Sequence, residues 1–110
     1  MEEFVKGDVV ILPFPFSDLS RSKKRPALVV ANLQGDDLIL AQITSEARFD
    51  DYSINLMNDD FKQGNLKLTS MIRPNRLFTA DKAIILYKTG ALANSKVKEV
   101  EQKLVKIFTK

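Results

Sequence analysis

Arg25 and Thr44 are the two residues whose types and spacing best suit a chemical reaction. They end two apolar runs that are joined by a Gln-Gly turn signal at residues 34–35. If that loop holds two residues, opposed residues of the hairpin have numbers that add up to 69, and Arg25 faces Thr44. Cross-strand partners have Cβ atoms about 4.5–5.5 Å apart. The hairpin is therefore predicted to bring a guanidinium and a hydroxyl to one place.

This pair suits cleavage of a phosphodiester by the substrate's own 2′-hydroxyl. Arg25 would hold the phosphate through a bidentate contact and stabilise the charge that builds on its oxygens. Thr44, with Ser45, would donate to or orient a phosphate oxygen or the attacking hydroxyl, and the 2′-hydroxyl would distinguish RNA from DNA. Taken alone, such a pair is more often a surface arginine and a strand-end threonine. Three basic residues would attract the RNA backbone, namely Lys23, Lys24 and Arg48.

The chain contains no cysteine and no histidine, which limits the other chemistry that it can perform. Thiolate nucleophiles, disulfides and zinc–sulfur sites all need cysteine. Histidine is the usual general acid–base near neutral pH and the usual ligand of transition metals. We therefore expect no metal site and no cofactor, and electrostatic stabilisation by arginine, lysine, hydroxyls or backbone dipoles as the source of any catalysis.

The net charge of +3 divides unevenly along the chain. Residues 1–60 hold six basic and eleven acidic side chains, whereas residues 61–110 hold eleven basic and three acidic ones. The basic half is compatible with a polyanionic partner. It is equally compatible with a solvated lysine face on a helix, where much of the excess lies, so charge alone does not decide between the two.

Short apolar runs rich in β-branched residues, separated by turn residues, predict a mainly β fold. Residues 17–24 are polar and increasingly basic and predict a loop, residues 58–65 predict a connection, and Gly90 predicts an interruption. The predicted hairpin around residues 34–35 is apolar on both faces, which suggests that a second protein covers one of them. The predicted strands are residues 9–12, 26–31, 38–43, 53–56, 68–72, 77–79 and 83–87.

The last part of the chain predicts one helix, which Asn94 or Ser95 can cap. Six or seven short strands with one terminal helix indicate a single domain over residues 1–110, built as a compact barrel-like sheet whose open edge or end the helix covers. The apolar face of the helix is predicted to hold Val97, Val100, Leu104, Ile107 and Phe108.

The N-terminal sequence has no basic region followed by an apolar run, so we expect no secretory signal and a cytoplasmic protein. The apolar stretch at residues 9–16 is broken by two prolines and is far shorter than the roughly 20 residues that span a bilayer. Three phenylalanines could stack on bases, although a core or interface role is favoured for each: Phe14, Phe16 and Phe49.

Four segments follow one another in an order that resembles the MazF/PemK family of bacterial toxin endoribonucleases. The Arg-Pro entry into a valine-rich strand is the most specific of them. The resemblance extends over nearly the whole chain. The segments are GDVV at residues 7–10, KRPALVV at 24–30, ITS at 43–45, and GNLK at 64–67 leading into IRPNRLFT at 72–79.

The resemblance implies an SH3-like barrel that forms a homodimer and cleaves single-stranded RNA at short sequences. Combined with the metal-free attack by the 2′-hydroxyl predicted above, such cleavage would leave a 2′,3′-cyclic phosphate. The resemblance also implies a cognate antitoxin that neutralises the protein. The family's catalytic arginine and threonine match Arg25 and Thr44, which the hairpin register pairs independently. Arg73, within the last segment, is expected to contact RNA.

The chain departs from the family in the loop before Arg25, where many members carry a glycine and an acidic residue. Here that loop is basic, so a supporting role for a carboxylate would be unfilled or would pass to Asp18 or Glu46. Two other functions therefore stay open. One is a non-catalytic toxin of the CcdB type, which shares the fold and acts on DNA gyrase, and the other is an inactive relative with a regulatory role.

Overall fold

The computed structural model describes residues 3–15, 22–47 and 49–110, and within them it contains seven strands and one α-helix. Two 3₁₀ helices, Asn58–Asp60 and Lys82–Ile84, lie in the connections. The strands and the helix are β1 (Asp8–Pro15), β2 (Ser22–Asn32), β3 (Asp37–Thr44), β4 (Ile54–Leu56), β5 (Phe61–Gly64), β6 (Ser70–Asp81), β7 (Tyr87–Leu92) and α1 (Asn94–Phe108).

The strands form one antiparallel sheet in the order β4-β6-β3-β2-β1-β7-β5. The sheet curls into a half-barrel, and α1 packs against it. Strand β1 lies inside the sheet, where it pairs with β2 on one side and with β7 on the other. This confirms the predicted small barrel of six or seven strands with a C-terminal helix.

Each face of the sheet has its own apolar core. Leu28 and Ile72 belong to the core that α1 covers through Val100, and all three are at most 2% exposed. Val29 belongs to the core on the other face, which the chain closes with residues that include Phe4. Burial of a large aliphatic side chain contributes about 1.5–3 kcal/mol. The β2–β3 hairpin is thus covered on both faces by its own chain, contrary to the expectation that a second protein would cover one face.

The tip of the β2–β3 hairpin differs from the prediction, but its open end agrees with it. The N–H of Leu33 donates to the carbonyl of Asp37 at 3.1 Å, so the turn holds three residues and not two, with Gly35 at φ 78°. An irregularity near Val30 takes up the extra residue, as a β-bulge does. The predicted register therefore holds beyond the bulge, where the pairs are Ala27 with Gln42, Leu28 with Ala41, and Val29 with Leu40.

Residues 68–72 and 77–79, predicted as two strands, belong mostly to the single long strand β6. Its pairing with β3 jumps from Arg73 opposite Gln42 to Leu77 opposite Ala41, so three residues bulge out of the ladder. Pro74 is one of them. Because proline has no N–H to donate, it is tolerated in a sheet at such a bulge.

The strand predicted at residues 83–87 is wrong. The Asp81 side chain accepts a hydrogen bond from the Ala83 N–H at 2.8 Å and starts a 3₁₀ helix there, and Ile85 packs on the second core. Strand β7 begins only at Tyr87 and continues through Gly90, which therefore does not interrupt the fold. The predicted connection at residues 58–65 contains strand β5, which pairs with β7.

Helix α1 begins without a side-chain cap, because Ala93 occupies the N-cap position and neither Asn94 nor Ser95 does. The Ala93 N–H donates to the carbonyl of Asp60 at 2.8 Å, which fixes the chain as it enters the helix. Of the predicted apolar face, Val100 is buried, Val97 and Leu104 are partly buried against the first core, and Phe108 is 72% exposed. No helix in the described part of the chain is long and apolar enough to cross a membrane.

Candidate functional site

Arg25 lies in β2, opposite Leu12 of β1, and is partly buried. The two preceding lysines also lie in β2, which begins at Ser22, so the loop predicted for residues 17–24 is wrong for residues 22–24. Lys23 and Lys24 are exposed. A strand holds three consecutive basic residues in an extended row, so neighbouring side chains point to opposite faces of the sheet.

Thr44 is the last residue of β3 and lies opposite Met71 of β6. It is only 9% exposed. Its Oγ1 accepts a hydrogen bond from the backbone N–H of Glu46 at 3.1 Å. A hydroxyl that accepts this bond can still donate its own proton, so Thr44 is held in place as a donor.

The pairing of β2 with β3 carries Arg25 towards Thr44. The described pairs end at Ala27 opposite Gln42, and the same register continued by two residues sets Arg25 opposite Thr44. A cleft of about 440 Å³ lies at this open end of the hairpin. Arg25 lines it, as does Ser45, the residue after Thr44, whereas Thr44 itself is not among the lining residues.

The other wall of the cleft comes from the segment between β5 and β6 and from β7. The sequence does not predict this wall, because residues 64–67 contribute only to the family resemblance and Tyr87 ends the strand that is wrongly predicted at residues 83–87. The Oγ1 of Thr89 donates to the carbonyl of Asn65 at 3.0 Å and ties the segment to β7. The wall residues that line the cleft are Asn65, Leu66, Lys67, Leu68, Ser70, Tyr87 and Thr89.

The cleft is positively charged. The described residues that line it include three basic ones, Lys24, Arg25 and Lys67. No described lining residue is Asp or Glu. Field lines from charges of one sign are concentrated in a cleft, which raises the local concentration of an anionic ligand. Among the described residues no group of three or more Asp, Glu, His and Cys could hold a metal ion.

The remaining predicted site residues fall into three groups. Glu46 is exposed and contributes its backbone N–H to Thr44. Asp18 and Arg48 lie outside the described residues, as does Phe16. Arg73 does not line the cleft, because its side chain is 13% exposed and reaches Asp50 at 3.7 Å. Its contact with RNA stays a prediction. The ion pair with Asp50 connects Arg73 to the loop that leads into β4.

Asp50 anchors the loop that leads into β4. Its Oδ1 accepts hydrogen bonds from the backbone N–H groups of Tyr52 and Ser53, at 2.9 and 2.8 Å. Hydrogen bonds from Ser53 and Tyr52, followed by the charge of Arg73, hold the pKa of Asp50 below its ordinary value of 3.8.

A second, larger cavity of about 730 Å³ lies beside the bulge of β6. Phe14 and Phe78 meet there edge to face with ring centroids 4.8 Å apart, so Phe14 has the packing role that was favoured for it. Phe49, in contrast, is fully exposed and takes no part in the core. The cavity is also lined by Leu12, Pro13, Gln42, Arg76, Asp81 and Ile84.

Residues 5–108 match the profile of a family described as PemK-like, MazF-like toxin of type II toxin–antitoxin system. Comparison with curated protein sequences gave no match.

Several solved structures share the fold at low sequence identity. An endoribonuclease in complex with its cognate antitoxin, from a mycobacterial species, is 14% identical and superposes with a TM-score of 0.78 over 97% of this chain and 96% of that one. MazF from Deinococcus radiodurans is 18% identical, with a TM-score of 0.76 over 100% of both chains. The toxin MazF-mt6 of Mycobacterium tuberculosis is 16% identical, with a TM-score of 0.73 over 93% of this chain and 96% of that one.

Proposed function

The chain belongs to the PemK-like, MazF-like toxins of type II toxin–antitoxin systems, and from this premise we propose that it is an endoribonuclease that cleaves single-stranded RNA. The observation that carries the proposal is the cleft at the open end of the β2–β3 hairpin. Arg25 and the residue that follows Thr44 line it, and the described residues around it include three basic side chains and no acidic one. The endoribonucleases of mycobacterial species that share the fold support the same reaction class.

In the proposed reaction the 2′-hydroxyl of one nucleotide attacks the adjacent phosphorus. The 2′-hydroxyl loses its proton as the O2′–P bond forms, and the P–O5′ bond breaks. The leaving 5′-oxygen takes up a proton, so the products are a 2′,3′-cyclic phosphate and a 5′-hydroxyl. Arg25 binds two phosphate oxygens and stabilises the added negative charge of the transition state. Thr44 donates a hydrogen bond to a phosphate oxygen or orients the attacking hydroxyl. Because the guanidinium supplies the charge, the reaction needs neither a metal nor a cofactor.

The negative charge of the RNA backbone would be attracted to the basic residues at the cleft. Lys24 and Lys67 stand on its two sides, and Lys23 lies next along β2. Attraction of phosphates to lysine releases counterions, so binding would weaken as salt increases. We place the reaction in the cytoplasm, where the RNA substrate is found.

We also propose that the protein is a homodimer. The residues that line the cavity beside the β6 bulge would form the interface between the two copies. This surface combines the apolar side chains of Phe14, Phe78 and Ile84 with two opposite charges, Arg76 and Asp81. A two-fold interface brings the same patch of both copies together, so a patch that carries both charges can be complementary to itself.

A cognate antitoxin is the proposed second partner. Two of the proteins that share the fold were solved with one, a mycobacterial endoribonuclease and MazF of Deinococcus radiodurans with MazE. The antitoxin would be expected to lower the activity of this chain when the two are mixed.

The test is incubation of the purified protein with mixed-sequence single-stranded RNA in EDTA, followed by mapping of the fragment ends. Cuts at defined sequences that leave 2′,3′-cyclic phosphates are the expected result. An Arg25→Ala variant should not produce them, whereas Lys98→Ala, which removes one positive charge from an exposed position of α1, should cut normally. Intact RNA with folded wild-type protein would refute the proposal and favour a non-catalytic toxin or an inactive relative.

A further inference from the structure

The floor of the cleft is a row of side chains that crosses four neighbouring strands. Ile11 of β1 lies opposite Pro26 of β2 on one side and opposite Tyr87 of β7 on the other. The register of the β2–β3 hairpin continues the row to Ile43 of β3. All four residues line the cleft. The floor is therefore apolar along its length and ends in an aromatic ring.

Arg25 and Tyr87 both line the cleft but lie in different strands. Arg25 precedes Pro26 in β2, and β1 lies between β2 and β7. Neighbouring strands are about 4.8 Å apart, so the two side chains start roughly 10 Å from each other. A phosphate on Arg25 and a base on Tyr87 can then belong to the same short stretch of single-stranded RNA.

Tyr87 does not pack in a hydrophobic core, unlike the two aromatic residues Phe14 and Phe78. It is 52% exposed and belongs to neither core, whereas Phe14 and Phe78 pack on each other. Tyrosine offers a flat apolar ring and loses little conformational freedom when a ligand covers it, and aromatic rings of this kind are the surfaces on which unpaired bases stack.

The segment between β5 and β6, which also lines the cleft, provides a second apolar surface and a positive charge. Leu68 is 65% exposed and lines the cleft, and Lys67 precedes it. A base that covers the Tyr87 ring and also contacts Leu68 would lose water from more of its surface than a base that contacts Tyr87 alone. The absence of acidic side chains among the described lining residues keeps the path of the phosphates positive.

We propose that Tyr87 is a stacking platform for an RNA base adjacent to the phosphate that Arg25 binds. This inference rests on the proposed function. Stacking uses the face of a base and not its hydrogen-bonding edge, so Tyr87 contributes affinity and position with little preference for one base. Sequence discrimination then belongs to other residues, and Tyr87 sets the direction in which the strand passes through the cleft.

Binding of an uncleavable RNA tests the inference. The probe is a fully 2′-O-methylated copy of an RNA that the wild-type protein cuts. Replacing Tyr87 by Ala should weaken binding between about 5- and 150-fold, the range for loss of one stacked base, whereas Tyr87→Phe keeps the ring and should bind normally. The matched control is Tyr52→Ala at the other tyrosine of the chain, which contacts Lys110 and does not line the cleft.

A fluorescence experiment covers the case in which the alanine variant does not fold. The chain contains no tryptophan, so Tyr87→Trp introduces a single reporter. Its emission should be quenched when the uncleavable RNA is added, while the emission of Tyr52→Trp should not change. Unchanged emission of Tyr87→Trp in the presence of saturating RNA would overturn the inference.

The outcomes separate this inference from the proposed function. If the wild type cuts RNA and Tyr87→Ala binds the uncleavable copy equally well, the stacking role is wrong and the ribonuclease stands. If the wild type neither cuts nor binds RNA, both fail. If Tyr87→Ala instead weakens self-association with RNA affinity unchanged, the ring belongs to a protein contact and the inference is again overturned.

Discussion

The carboxylate of Asp8 lies 3.2 Å from the ammonium group of Lys88 and joins β1 to β7 at a place where Asp8 is 1% exposed. The second carboxylate oxygen accepts a hydrogen bond from the Val5 N–H at 2.9 Å. The Lys88 side chain is 26% exposed, so the pair is shielded from water mainly on the Asp8 side. The pair therefore holds the N-terminal segment, β1 and β7 together.

Loss of one partner of this pair should destabilise the fold. Lys88→Met leaves a buried carboxylate without its counter-charge and should lower the free energy of unfolding by up to about 3 kcal/mol. The double variant Asp8→Asn, Lys88→Met removes both charges and should be more stable than Lys88→Met alone. Urea unfolding measures both differences, and equal stability of the single and double variants would contradict the role given to the ion pair.

Asp50 should make stability depend on pH in the acid range. Its pKa is lowered in the folded protein by hydrogen bonds from Ser53 and Tyr52, so its contribution is complete above the ordinary value of 3.8 and is lost as the pH falls through the folded pKa. Asp50→Asn retains an acceptor but not the charge. The wild type should exceed this variant in urea midpoint at pH 7, and the difference should shrink below pH 3.8; a constant difference would contradict the prediction.

Gly90 should not tolerate a side chain. A Cβ at this position would lie 2.6 Å from the Gln63 carbonyl oxygen and 2.9 Å from the Phe61 ring, so β5 would have to move away from β7. Gly90→Ala should cost about 1–3 kcal/mol of stability, as overpacking does. The control is Gly35→Asn, because a Cβ there meets nothing within 4 Å and asparagine tolerates positive φ. Similar losses in the two variants would exclude the proposed clash.

Thr44 allows its hydroxyl to be tested apart from its shape. Thr44→Val keeps the size of the side chain but removes the acceptor for the Glu46 N–H and the donor for a phosphate oxygen. We expect RNA cleavage to fall about 10²-fold, as for loss of one donor to a developing charge, and Arg25→Ala to fall about 10²–10³-fold. Thr44→Ser restores the hydroxyl and should recover most of the rate. Single-turnover assays measure all three variants, and full activity of Thr44→Val would remove Thr44 from the mechanism.

The proposed dimer surface can be tested at Ile84, which is 44% exposed and lines the cavity beside the β6 bulge. Ile84→Glu would bury a charge in the interface of each copy and should weaken self-association about 10-fold or more. The control is Val105→Glu, at a 61% exposed position of α1 outside this cavity. Sedimentation across a concentration series distinguishes them, and a dimer unaffected by Ile84→Glu would place the interface elsewhere.

The parts of the fold that could be predicted are those where the chain pairs with itself locally. The apolar runs of β1, β2 and β3 alternate or are buried on both faces, so their positions and the register near Ala27 follow from the residues. The exact turn could not be predicted, because a bulge near Val30 compensates for the extra residue and the two errors cancel at Arg25.

The parts that could not be predicted depend on contacts between distant segments. Strand β5 has four residues and none is fully buried, so its existence shows only in its pairing with β7. Gly90 is a typical interruption by residue type, but here it lies within β7, where the Phe61 ring and the Gln63 carbonyl leave no room for a side chain. Tyr87 was missed as a site residue for the same reason, since β7 reaches Arg25 only by pairing with β1.

The pairing of β1 with β7 also has a kinetic consequence. Strands β1, β2 and β3 follow one another and can form hairpins early, whereas β7 must find β1 across most of the length of the chain. Closing such a long loop costs conformational entropy before the contacts between the two strands can offset it. Proteins rich in such distant pairings fold slowly, in about milliseconds to seconds. Arg25 would then be in position long before Tyr87 arrives, so the cleft is completed late in folding, and a partly folded chain would carry the basic half of the cleft without its aromatic end.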